Sequence, residues 1–167
     1  LPAAAAGPGR LPALLVVSIV TPVAAPTLYG EPETADCVVA AFCFRCTEAA
    51  QAASREAQPG GAVEMLARFS AEAAEKRMEA GAFKIIAQAA NWGEIGLPSA
   101  MRKFNGKPVL TRPEHYFHRD PQNRYFMCDL DGHCYKYFTR SAIASGMGFV
   151  GQIGLGYGYV VEARSRH

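Results

Sequence analysis

The sequence predicts a mainly α membrane protein, built from one glycine-rich C-terminal transmembrane helix, a helical hairpin and a small antiparallel β-meander, and not a compact enzyme fold. Three observations predict this. Residues 141–161 form an uncharged run between Arg140 and Glu162, residues 34–91 are rich in alanine and carry a charged stripe, and residues 114–139 hold an aromatic block broken by turn signals. As a helix rising about 1.5 Å per residue, a run of that length covers a hydrocarbon core of roughly 30 Å.

The glycines of the run have helical geometry. Ala144, Gly148, Gly151 and Gly158 fall within one stripe, with Gly154 at its edge and a GxxxG pair from Gly154 to Gly158. Small residues let helix backbones approach closely in lipid, so the stripe predicts a partner helix. A buried helix of a soluble core is the first alternative, but glycine there costs about 1 kcal/mol per site against alanine. A strand is the second. Met147, Phe149, Ile153, Leu155, Tyr157, Tyr159 and Val161 are large and apolar while the even positions are mostly glycine, as in a barrel strand. Closure needs many further strands, which the alanine-rich stretches do not supply, and the helix is preferred.

Composition sets outer bounds. A chain of 167 residues, half of them hydrophobic, suffices for one modest domain. A net charge of +2 without a dense basic patch argues against a nucleic-acid partner. The chain begins LPAAAAGPGR without methionine, which reads as a processed start. Five cysteines without regular spacing argue against a secreted disulfide scaffold.

Residues 1–33 read as an apolar, proline-interrupted segment inserted into the membrane. Residues 11–30 carry no charge, but Pro12, Pro22 and Pro26 leave only residues 13–21 for a straight helix, too short to span alone. Val23, Ala24 and Ala25 resemble a small-residue cleavage site.

The hairpin occupies residues 34–91. Thr34 caps a first helix to about Ala53, with Val39, Cys43, Cys46, Ala50 and Ala53 on one face. After a break at residues 58–61, a second helix runs from Ala62 to Ala90. Its apolar stripe is Leu66, Phe69, Ala73, Ala80, Phe83, Ala87 and Ala90, opposite Glu64, Arg68, Glu72, Lys76 and Glu79. Residues 92–113 are a loop containing Trp92, the only tryptophan.

In the meander, turns at residues 119–123 and at Asp131-Gly132 separate EHYFH, RYFMCDL and HCYKYF. A two-residue turn sets Cys128 opposite Tyr135, whereas a three-residue loop sets it opposite Cys134 and permits a disulfide. Residues 162–167 form a basic tail with Arg164, Arg166 and His167.

The candidate chemistry is sparse. Cys43 and Cys46 form a CxxC that Cys128 and Cys134, or His133, would complete as a four-ligand zinc site. CDLDGHC has no ligand-pair spacing, and cysteines on an apolar helix face act as small hydrophobes, so no metal is expected. His115, His118 and His133 lie near Glu114, Asp120 and Asp129, but no positioned nucleophile or oxyanion donor accompanies them. No phosphate-loop ending follows the glycines.

These features predict a non-catalytic, membrane-anchored accessory subunit of an organellar energy-transducing complex, a respiratory chain or ATP synthase of the mitochondrial inner membrane. The expected partners are other transmembrane and peripheral subunits and membrane lipid, with no nucleic acid. No cofactor is predicted, though an apolar span is compatible with a bound lipid or pigment. A thylakoid photosystem subunit is the first alternative. A soluble cysteine-based metal or redox protein is the rival class.

Overall fold

The computed structural model describes residues 10–28, 36–56, 61–75, 83–96, 99–110 and 115–162. It is a mixed α/β fold. In chain order the elements are β1 (Leu14–Pro22), β2 (Cys37–Arg45), α1 (Glu48–Arg55), α2 (Ala62–Glu75), β3 (Phe83–Ala89), a 3₁₀ turn (Ser99–Phe104), β4 (Pro108–Leu110), β5 (His115–Arg119), β6 (Tyr125–Asp131), a second 3₁₀ turn (Gly132–Cys134), α3 (Tyr137–Met147) and β7 (Leu155–Val161). They make one four-stranded sheet in the order β2-β1-β6-β5 and one three-stranded sheet in the order β4-β3-β7.

Strand β1 is rich in β-branched residues, which suit a pleated surface packed on both sides. It pairs antiparallel with β2, Val17 opposite Phe42, and parallel with β6, Val17 opposite Cys128. One face of this sheet therefore presents Leu15, Val17, Ile19, Phe42, Phe117, Phe126, Cys128 and Leu130 together, because paired residues share a face. The three-stranded sheet sets Phe83, Ile85, Tyr159 and Val161 against them, and α2 adds Leu66 and Phe69. Phe69 is the hub. Its ring stacks on Phe83 at 6.0 Å and meets Phe117 and Phe126 edge-on at 5.6 and 5.7 Å.

The β5–β6 turn is fixed by its polar residues. Asn123 takes a left-handed φ of 57°, a conformation asparagine tolerates better than most side chains. Its Nδ2 donates to the Leu11 carbonyl, while Arg119 donates to the Arg10 carbonyl, and the two bonds tie the hairpin to the entry of β1.

The structure overturns the mainly α membrane class. Residues 141–161, expected as one transmembrane helix, divide into the end of α3, a turn and β7. No described helix is long and apolar enough to cross a membrane. The physical reason lies in the glycines, which lower helix propensity throughout the run, whereas β3 supplies β7 with a complete ladder from Leu155 to Val161. The alternation of large and small residues is realised over β7, with Tyr159 turned to the core and Gly158 set against Ile86.

The expected hairpin helices are also corrected. Residues 37–45 are β2, and Thr47, not a residue before the strand, caps α1 by accepting from the Ala50 N–H. The second helix is described from Ala62 to Glu75, and Phe83, Ala87 and their neighbours form β3 instead. Thr34, Lys76, Glu79 and Ala80 lie outside the described residues. The apolar N-terminal stretch is β1, inside a sheet and not inserted in lipid as a helix. Residues 92–113 contain a 3₁₀ turn and β4. Of the three expected meander strands, β5 and β6 form, but the third is replaced by the 3₁₀ turn and α3. Residues 1–9 and the basic tail from 163 onward are outside the described region.

Candidate functional site

Strand β2 lies at the edge of its sheet. The Cys46 N–H donates to the Ala13 carbonyl at 3.0 Å and the Val23 N–H to the Asp36 carbonyl at 3.1 Å. Those two bonds fix the phase of the antiparallel ladder, in which alternate residues point inward and outward. Even-numbered residues of β2 bond to β1, and Cys37, Val39, Ala41, Cys43 and Arg45 direct their N–H and C=O groups to the free edge. Among the described residues no further strand pairs with that edge.

Edges of natural sheets are ordinarily blunted by charge, proline or a bulge. From Cys37 to Phe44, β2 has no charge and no proline. Apart from half-buried Ala40 and Phe42 its side chains are exposed: Val39 is 56% exposed on the outer face, and Val38 and Phe44 are exposed at the rim of the core face. The Phe44 ring still reaches Tyr159, edge-on at 5.8 Å, which anchors the strand to the second sheet. On the outer face half-buried Val16 lies between Cys43 and Met127, while exposed Tyr116 stands opposite Asp129, which pairs with Ser18.

The sequence-predicted chemical residues do not converge. Cys43 is exposed on the outer face, whereas Cys128 is buried on the core face of a strand two places away. Burial, and then the neighbouring Asp129, push the Cys128 thiol far above its ordinary range, and burial also raises that of Cys46. Cys134 is exposed in the turn after β6, its Sγ donating to Asp131 Oδ2 at 3.6 Å. No disulfide links the five cysteines, and among the described residues no group of three His, Cys, Asp or Glu side chains is placed to hold a metal.

Of the acidic and histidine residues, His115, His118 and Asp129 lie on β5 and β6, whereas Asp120, Asp131 and His133 sit at the turns on either end of β6. The Asp131 carboxylate accepts from the His133 N–H and lies 2.9 Å from His133 Nδ1. Burial alone would raise its pKa, but the hydrogen bonds from His133 and Cys134 outweigh it and hold the group below the usual range. Asp120 is buried at the other end of β6 and accepts from the Arg124 guanidinium at 2.8 and 2.9 Å. His118 is exposed on β5, and Glu114 lies outside the described residues.

The predicted helix-packing residues are scattered as well. Ala144 is on α3, Gly148 and Gly151 are in the following turn with no atom within 4 Å of where a Cβ would sit, Gly154 lies beside Asn91, and Gly158 is in β7. No single helix face carries them. The free edge itself was missed because the spacing of Val39, Cys43 and Cys46 satisfied a helix. The signal present was the compact Val-Val and Phe-Cys-Phe composition of residues 38–44.

Comparison with known proteins agrees with the structure in overturning the respiratory, ATP synthase and photosystem readings. No curated protein and no solved structure gave a significant match. The family described as Protein ENHANCED DISEASE RESISTANCE 2, C-terminal, matches residues 3–167. With nearly its whole length matched, and with no described helix able to cross a mitochondrial or thylakoid membrane, the chain belongs to the ENHANCED DISEASE RESISTANCE 2 C-terminal family.

Proposed function

We propose that this domain is a non-catalytic docking module within disease-resistance signalling, and that it holds a protein partner by strand addition along β2. The observation that supports the reading is the free edge of β2, with five residues directing backbone groups outward and no charge or proline from Cys37 to Phe44. In strand addition the backbone ladder supplies affinity and alternate side-chain positions supply selectivity. The exposed Val38, Val39 and Phe44 favour an extended partner segment of β-branched and aromatic residues with few charges.

The test uses the direction of the Ala41 N–H. That group points away from β1, so Ala41→Pro removes an edge donor without breaking the β1–β2 ladder, the one context in which a strand accepts proline. Random peptides displayed against the domain should return extended, weakly charged segments that slow amide exchange at Val39, Ala41 and Cys43. Ala41→Pro should weaken them by about tenfold or more, the loss of at least one buried backbone bond plus the clash of the ring. Selected peptides that bind Ala41→Pro equally well and protect another element would overturn the proposal.

A further inference from the structure

Two asparagine carboxamides gather the loops at one end of the second sheet. On one side of β3, Asn105 bonds to both backbone groups of Ala89, and the Gly106 N–H donates to the Ala87 carbonyl at 2.9 Å. On the other side, Asn91 Oδ1 accepts from the Gly154 N–H at 2.9 Å, its Nδ2 donates to the Gln152 carbonyl at 2.8 Å, and the Ala90 N–H donates to the Gly154 carbonyl at 2.8 Å. The loops around residues 101–107 and 148–155 therefore flank the carboxyl end of β3.

These loops expose large apolar side chains at their tips. Phe104 is 48% exposed, Val150 52% and Leu155 47%. Arg102, Lys103 and Lys107 are exposed on the first of these loops, with Lys103 Nζ 5.0 Å from the centre of the Phe104 ring. Glu94, also exposed, is the only acidic residue in residues 90–107 and 148–155, so three cations against one anion leave a formal charge of +2.

We propose that this loop cluster is a docking surface for an anionic lipid bilayer. The apolar tips enter the boundary between headgroups and acyl chains while the three cations meet the anionic headgroups. Lysine and arginine suit that arrangement because their long stems keep the charge in the headgroup layer while a neighbouring ring sits deeper. An acidic protein segment would use the cations but leave Phe104, Val150 and Leu155 in water. A bilayer uses both. Such contact lies on the membrane surface and needs no crossing helix, and it is independent of the β2 edge.

The experiment is co-sedimentation of the domain with phosphatidylcholine vesicles and with the same vesicles containing about 30% phosphatidylserine. Binding is expected only to the anionic vesicles and is expected to fall with added salt. Phe104→Ala, which deletes the apolar tip, and the double variant Arg102→Glu with Lys103→Glu, which reverses two charges, should each weaken it by about tenfold. Phe138→Ala, at an exposed ring on α3, should leave it unchanged, and circular dichroism checks that every variant is folded. The proposal is overturned if the wild-type domain does not bind anionic vesicles, including the case in which it captures poly-glutamate instead, or if the Phe104 and double variants bind as the wild type does.

Discussion

Asn105 acts as the missing rung of a strand opposite Ala89: its Nδ2 donates to the Ala89 carbonyl at 3.2 Å and its Oδ1 accepts the Ala89 N–H at 2.7 Å. The β3–β4 register, Lys84 opposite Leu110 through Ile86 opposite Pro108, extends to this pair. The backbone has already turned away there, at Gly106 with a φ of 69°, so the carboxamide replaces the peptide group. Asn105→Ala leaves both Ala89 groups without these partners. It is expected to destabilise the domain by about 1–3 kcal/mol, read as a lower urea midpoint at unchanged m value.

The Asp120–Arg124 pair predicts an acid limb of the stability profile. Hydrogen bonds from the Arg124 side chain, then from its backbone, hold the Asp120 carboxyl down at about 2, below the ordinary 3.8. A lowered carboxylate pKa contributes stability above the unfolded value and loses it as pH falls through the folded one. The thermal midpoint of the wild type should exceed that of Asp120→Asn by a constant margin above about pH 4, and the margin should close between about pH 4 and pH 2. A margin that persists at pH 2 would count against the pair.

Gly132 and Gly151 should behave oppositely on substitution. A Cβ on Gly132 would meet the Val20 carbonyl oxygen at 2.5 Å and Pro22 Cδ at 2.9 Å, and backbone at that distance cannot yield cheaply. Gly132→Ala is expected to cost about 1–3 kcal/mol by prising the turn from the end of β1. Gly151 has nothing within 4 Å and no left-handed φ, so Gly151→Ala should be neutral or stabilising by up to about 1 kcal/mol. Chemical denaturation of the two variants side by side checks both signs.

Tyr159 places a hydroxyl in the core where no described residue bonds to it. Burying an unpartnered hydroxyl costs about 1–3 kcal/mol, so Tyr159→Phe is expected to raise the unfolding midpoint. Burial first, then Tyr157 and Cys128, push the Tyr159 ionisation up to about 12 from its ordinary 10.0. A raised pKa stabilises below the unfolded value and is lost as pH rises toward the folded one, so wild type should lose further ground to Tyr159→Phe between about pH 10 and pH 12. A drop in midpoint for Tyr159→Phe at neutral pH would show that the hydroxyl has a partner after all.

Some of this was legible in residues alone. The β5–β6 hairpin followed from Arg119-Asp120-Pro121-Gln122-Asn123 between aromatic runs, because turn chemistry is local. The alternation from Leu155 to Val161 is visible too, but at the residue level it competes with a glycine stripe at helical spacing. Phe83, Ala87 and Ala90 fit the end of a helix by their spacing, whereas in the structure Phe83, Ile85, Ala87 and Ala89 share one face of β3. Short apolar runs satisfy both periods, and β2 met the same fate through Val39, Cys43 and Cys46.

What the sequence determined by itself was therefore the local chemistry: the turn at Asp120, the apolar content of each segment and the absence of charge along residues 37–44. Only the tertiary structure decided that β1 lies between β2 and β6, that Val17 meets Cys128 more than a hundred residues later, and that no described strand covers the outer edge of β2. The reason is that turns and caps are settled by neighbours along the chain, whereas a strand is settled by whichever distant segment completes its backbone hydrogen bonds and covers its apolar face.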